Sequence, residues 1–97
     1  MEYEDKIELE NGHCLVLIDV AGNVSVPVEE ANTNIVCLGK DMNIIWRISA
    51  PEGMHERDSF VELNKEKDGT ITARRFFGNT YNIDPNTGNA EQTGWEK

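Results

Sequence analysis

Asp84-Pro85-Asn86-Thr87-Gly88 places oxygen-bearing side chains at alternate positions, the start of a loop that could hold calcium. An EF-hand loop would continue with an oxygen ligand at its fifth position, glycine at its sixth and glutamate at its twelfth. Gly88, Asn89 and Trp95 stand there instead, so the segment reads as a turn with proline at its second position and glycine at its end. No metal is expected. His13 and His55 are the only histidines, and Cys14 and Cys37 the only cysteines. None of their spacings is that of a zinc site. A cysteine–histidine nucleophile would need a thiol of lowered pKa. Both cysteines lie in apolar runs, where burial raises it, so they read as core thiols. Adjacent strands could bring them face to face.

Arg74-Arg75-Phe76-Phe77 is the most unusual run. Read as a strand, it puts Arg74 and Phe76 on one face and Arg75 and Phe77 on the other. The two faces cannot both be buried cheaply, so one stays wet or meets a partner, and Arg74, Arg75, Phe76 and Phe77, with Arg47, form a candidate protein interface. The competing reading lays the arginine stems over the rings. A second candidate is a ligand pocket between hairpins, lined by Trp46, Phe60, Phe76 and Tyr81. The nucleophile elbow, phosphate loop, HExxH and dinucleotide glycine patterns are missing from the sequence. We therefore expect no enzyme, no catalytic residue and no cofactor.

These residues must be positioned by strands. Residues 6–10 alternate, with Ile7 and Leu9 on one face. Asn11-Gly12 marks a hairpin turn, read here as a two-residue type I′ corner. Residues 13–20 are apolar on both faces and fit a covered central strand. Further strands are expected at 35–38, 44–49, 59–63, 70–77, 80–84 and 89–95. In the 44–49 strand, Ile44, Trp46 and Ile48 should point inward. A single helical turn is compatible with 29–32 or 54–57. The whole reads as one all-β domain over 1–97, of six to eight antiparallel strands. The arrangement could be a meander, a small barrel or two packed sheets resembling propeller blades.

Composition narrows the partners. Of 97 residues, 18 are acidic and 9 basic, a formal charge of −9. Residues 1–30 hold eight acids and one base, so most of the excess lies there. That balance excludes ordinary nucleic-acid and anionic-membrane binders and favours steering toward a basic protein. The acidic N-terminus and the short apolar runs suggest a cytoplasmic, soluble chain.

One pattern is read twice along the chain: strand, turn, strand, tryptophan. Its copies are Asn34–Trp46, with the turn Lys40-Asp41-Met42-Asn43, and Tyr81-Asn82-Ile83-Asp84-Pro85-Asn86-Thr87-Gly88 followed by Trp95. With Asp68-Gly69-Thr70-Ile71-Thr72-Ala73 and Phe77-Gly78, these segments resemble small bacterial proteins of uncharacterised function that share blade-like hairpins with quinoprotein-type propellers. The resemblance implies packing through Trp46, Tyr81 and Trp95. It implies no cofactor contact, since those come from many blades. A chain this short cannot close a propeller, which takes roughly 40–50 residues per blade. Its open edges therefore call for a partner, either another protein or a second copy. The expected role is a non-catalytic protein-interaction module, of immunity or inhibitor type against a basic protein. The alternative is a small-ligand-binding β domain.

Overall fold

In a computed structural model that describes residues 3–20 and 22–95, the chain forms eight strands and one short helix. In order these are β1 (Tyr3–Glu8), β2 (Cys14–Ile18), α1 (Val28–Ala31), β3 (Ile35–Leu38), β4 (Ile44–Arg47), β5 (Phe60–Lys65), β6 (Ile71–Arg75), β7 (Asn79–Ile83) and β8 (Ala90–Trp95). They make two antiparallel meanders, β1-β2-β3-β4 and β5-β6-β7-β8, neither closed into a barrel. The two copies of the repeated pattern are the last hairpin of each sheet, β3–β4 and β7–β8.

The sheets pack face to face. Leu15, Leu17, Ile35, Cys37 and Ile48 of the first half share one core with Phe60, Leu63, Ile71, Ala73, Tyr81 and Ile83 of the second. The shortest dimension is 18 Å, as expected for two layers about 10 Å apart with side chains outside them. One seam is stitched by backbone. Ser49 N–H donates to Gly88 O at 2.9 Å, and Ala90 N–H to Ser49 O at 2.7 Å. Trp46 spans the same seam: its indole Nε1 donates to Pro85 O at 3.1 Å. Its ring lies where a Cβ on Gly88 would stand.

A second polar link crosses the core. Asn34 is buried between the halves. It donates from Nδ2 to Ile18 O and Phe60 O, and its Oδ1 accepts from Phe60 N–H, each at 2.9 Å. A backbone buried without ladder partners needs such substitutes.

Three hairpin turns share one chemistry. In Glu10-Asn11-Gly12, Lys40-Asp41-Met42 and Lys67-Asp68-Gly69 the third residue has positive φ. The Asn or Asp side chain accepts from the N–H two residues on, at 2.9, 3.2 and 2.9 Å. Leu9 N–H donates to His13 O and Gly12 N–H to Leu9 O, which closes a three-residue loop. Asn11-Gly12 is thus not a two-residue type I′ turn. Among the described residues Asn11 lacks the positive φ that such a turn requires of it.

The predicted inward row in β4 is corrected by a bulge. Trp46 pairs with Cys37 but Ile44 pairs with Leu38, because the register shifts between them. A one-residue shift reverses the faces. Trp46 and Ile48 point inward, while Ile44 and Ile45 are left exposed. β6 is also shorter than predicted. It ends at Arg75, and Gly78 N–H donates to Arg75 O at 3.0 Å with Gly78 at φ 116°. Phe76 and Phe77 are therefore the tip of the β6–β7 turn, and strand alternation does not govern them.

Candidate functional site: an aromatic turn on a buried arginine

The β6–β7 turn is held from below by Arg75, only 2% exposed. Its Nε donates to the Tyr81 hydroxyl at 2.9 Å. One Nη donates to Asn32 O at 2.9 Å and Asp58 O at 2.6 Å, and the other to Pro51 O at 3.1 Å. The guanidinium lies 4.3 Å from the Phe60 ring centroid and 5.4 Å from that of Tyr81, within cation–π range. An arginine fork suits this task because its planar donors reach several fixed carbonyls at once.

Asp58, also buried, binds the turn directly. Its Oδ1 accepts from Phe77 N–H at 3.1 Å and its Oδ2 from Met54 N–H at 3.0 Å. Asn32 closes the circuit by accepting from Asp58 N–H at 2.7 Å and donating to Glu56 O. Phe76 N–H donates to Ser59 O at 2.8 Å, and the Trp95 indole donates to Phe77 O at 2.8 Å. The Phe76 N–H, the Phe77 N–H and the Phe77 carbonyl are thus each bonded.

What the tip presents is apolar. Phe76 is 64% exposed and Trp95 51%; Phe77 and Met54 are also exposed. Phe76 and Phe77 meet edge-on with centroids 5.0 Å apart, and His55 packs on Phe77 at 4.0 Å. Beside them lies a hollow of about 590 Å³ bordered by Glu29, Glu52, His55 and Glu56, with Arg75 in its floor. Rigid exposed aromatics next to carboxylates suit contact with a partner that offers apolar surface and positive charge.

The structure separates the residues singled out from sequence. Phe76 and Phe77 form the exposed tip. Arg75 is corrected from an interface residue to a buried anchor, because its charge is better satisfied by carbonyls converging from 32, 51 and 58. Arg74 lies on the outer face of the second sheet, 2.8 Å from Glu62. That bond holds the Glu62 carboxyl below its usual pKa. Arg47 belongs to the other sheet and donates to Thr33 O at 2.8 Å. Phe60 and Tyr81, expected to line a pocket with Trp46, are both in the core, with centroids 5.4 Å apart. Their rings fill the space that a ligand would need, and Trp46 closes the seam. Trp95 does not pack inward. Sequence reasoning missed Asp58, Asn32 and Asn34, whose roles depend on distant backbone.

The chemistry considered at Asp84 also resolves locally. Its Oδ1 accepts from Asn86 N–H at 2.9 Å, and its carbonyl accepts from Gly88 N–H at 2.8 Å, so the carboxylate caps its own turn. Cys14 and Cys37 lie on neighbouring strands but opposite faces. Cys37 belongs to the central core and Cys14 to the outer cluster with Val16, Val36 and Leu38. Both are free thiols, and burial raises both pKa values. At pH 7 they should alkylate with iodoacetamide more slowly than free cysteine, Cys37 slowest, and the lag should persist at pH 8.5, near the free-thiol pKa. Reaction of Cys37 at the free-cysteine rate would contradict its placement.

A family model, described as a domain of unknown function (DUF7957), matches residues 2–95. The chain belongs to the DUF7957 family. No curated protein and no solved structure matches it. Since the family match spans both sheets, the aromatic turn and its arginine support lie within the DUF7957 domain.

Proposed function

We propose that the protein is a non-catalytic protein-interaction module that docks a basic protein in the manner of an immunity or inhibitor protein. The observation that carries this reading is the Phe76–Phe77 tip, two exposed rings on a backbone fixed by Arg75, Asp58 and Trp95. Ordering an exposed aromatic turn before contact lowers the entropy lost on binding. Aromatic and methionine side chains are the usual centre of an interface. The charge of −9 supports a basic partner, drawn in by long-range attraction.

Affinity capture from the native cell tests the proposal. Wild-type bait should recover a basic protein, and Phe76→Ala/Phe77→Ala bait should not. Raising salt from about 0.15 M to 1 M shortens the Debye length from about 8 Å to 3 Å and should release the partner. Recovery of the same proteins by both baits, or capture indifferent to salt, would sink the reading.

A further inference from the structure

The corner at Asn11-Gly12 has chemistry beyond turning the chain. Of the ten asparagines, only Asn11 is followed by glycine. An asparagine amide can be attacked by the backbone nitrogen of the next residue, which closes a five-membered imide. A Cβ on that residue obstructs the approach, and glycine has none. The turn supplies the rest. His13 N–H donates to Asn11 Oδ1 at 2.9 Å. That bond folds the side chain back over the Asn11–Gly12 peptide. It also sits where attack builds negative charge, on Oδ1. The His13 ring adds a second contact, with Nδ1 3.2 Å from Asn11 Nδ2. Histidine is the side chain whose charge changes between about pH 5 and 8. In its imidazolium form the ring donates from Nδ1, so the nitrogen that must leave has a proton source beside it. Asn11 and Gly12 are both exposed, so water reaches the reacting atoms.

The sister turns lack these parts. At Asp41-Met42 the attacking residue carries a side chain and the group to be attacked is an acid. Asp68-Gly69 is the closer match, with the glycine and the same cap, Thr70 N–H donating to Asp68 Oδ1 at 2.9 Å. There the bonds from Thr70 hold the Asp68 carboxyl below its usual pKa. It stays a carboxylate, which resists attack, and Thr70 offers no ionisable proton donor.

We propose that Asn11 is a self-modification site, converted within its own turn to aspartate and isoaspartate with His13 as the proton donor. Gly12 N gives up its hydrogen bond to Leu9 O and attacks Asn11 Cγ. The N–Cγ bond forms, and the Gly12 amide proton passes to water. The Cγ–Nδ2 bond breaks, and Nδ2 takes a proton from His13 Nδ1 and leaves as ammonia. Water then opens the imide. Opening at Cγ restores the main chain with aspartate at position 11. Opening at the backbone carbonyl routes the chain through the side chain as isoaspartate. The net change is one water consumed and one ammonia released, with no oxidant or reductant. The aspartate product keeps the cap, as Asp41 and Asp68 do in their turns. Isoaspartate adds an atom to the main chain and breaks the three-residue loop closed between Leu9 and His13.

Peptide mapping by mass spectrometry, after incubating the full chain at neutral pH and physiological temperature, tests it on wild type and His13→Gln. Glutamine can still hold Asn11 Nδ2 through its amide oxygen but has no ionisable proton to give. Melting curves should confirm that the variant folds. Wild type should convert at Asn11 ahead of every other asparagine, with ammonia released and isoaspartate found in the same peptide. Folded His13→Gln should convert at least about tenfold more slowly, a modest share of the roughly 10²–10⁴-fold that a positioned acid contributes. In urea, which abolishes the turn, the gap between the two chains should close. An unconverted Asn11, earlier conversion at another asparagine, equal rates in the two folded proteins, or a gap that persists in urea would overturn the proposal. If His13→Gln does not fold, wild type alone decides: Asn11 should convert more slowly relative to the other asparagines in urea than in the folded chain, and the reverse order would overturn it.

Discussion

Arg75→Ala is expected to destabilise the domain by about 3–5 kcal/mol, the scale seen when one member of a buried charged network is removed. The reason is local accounting of polar groups. The side chain satisfies the carbonyls of Asn32, Pro51 and Asp58 and the hydroxyl of Tyr81, all within 3.1 Å. Each buried acceptor left unpaired costs about 1–3 kcal/mol. The void between Phe60 and Tyr81 adds a packing loss. Domains of this size unfold with about 5–15 kcal/mol in total, so the variant should melt at least about 12 °C lower, at roughly 4–8 °C per kcal/mol. Arg75→Lys should recover only part of the loss, since an ammonium group cannot span the same carbonyls. Phe76→Ala, three atoms of backbone away but exposed, should change stability by no more than about 0.5 kcal/mol. Thermal unfolding of the three variants separates support from tip. A mild Arg75→Ala variant would mean that the guanidinium is not the anchor described.

Gly88→Ala should cost more than Gly69→Ala, although both positions have positive φ. At Gly69 a Cβ meets open space, so the substitution incurs the left-handed backbone penalty alone, about 1–2 kcal/mol. At Gly88 the same Cβ would run into the Trp46 indole. That ring would have to leave the seam, breaking its hydrogen bond to Pro85 O and loosening the Ser49 crossing. Overpacking of this sort typically adds about 1–3 kcal/mol. Urea unfolding measures both variants on one scale. Equal costs would show that Trp46 does not lock the two sheets together.

Local chemistry explains which parts of this architecture could be read in advance. Asn11, Asp41, Asp68 and Asp84 each cap a turn through a neighbour in sequence, and all four corners were legible from the residues themselves. The same holds for the covered strand β2, which is apolar on both faces. Errors arose where one residue changes parity. The bulge opposite Leu38 exposed Ile44, and the three-residue turn closed by Gly78 drew Phe76 and Phe77 out of β6. Arg75 was the hardest residue to place. Its partners lie up to 43 positions away and are mostly main-chain carbonyls, which have no signature in a sequence. The exposed half of the candidate site could therefore be picked out as Phe76-Phe77, while its supporting half could not.

The most direct test of a rigid aromatic docking turn is the dissociation constant of the captured basic partner for wild type and for Phe76→Ala/Phe77→Ala, with both melting curves in hand. The account predicts that the double variant retains most of its thermal stability and binds at least about tenfold more weakly, as expected when a central aromatic anchor is lost. An unchanged dissociation constant on an intact fold would contradict it.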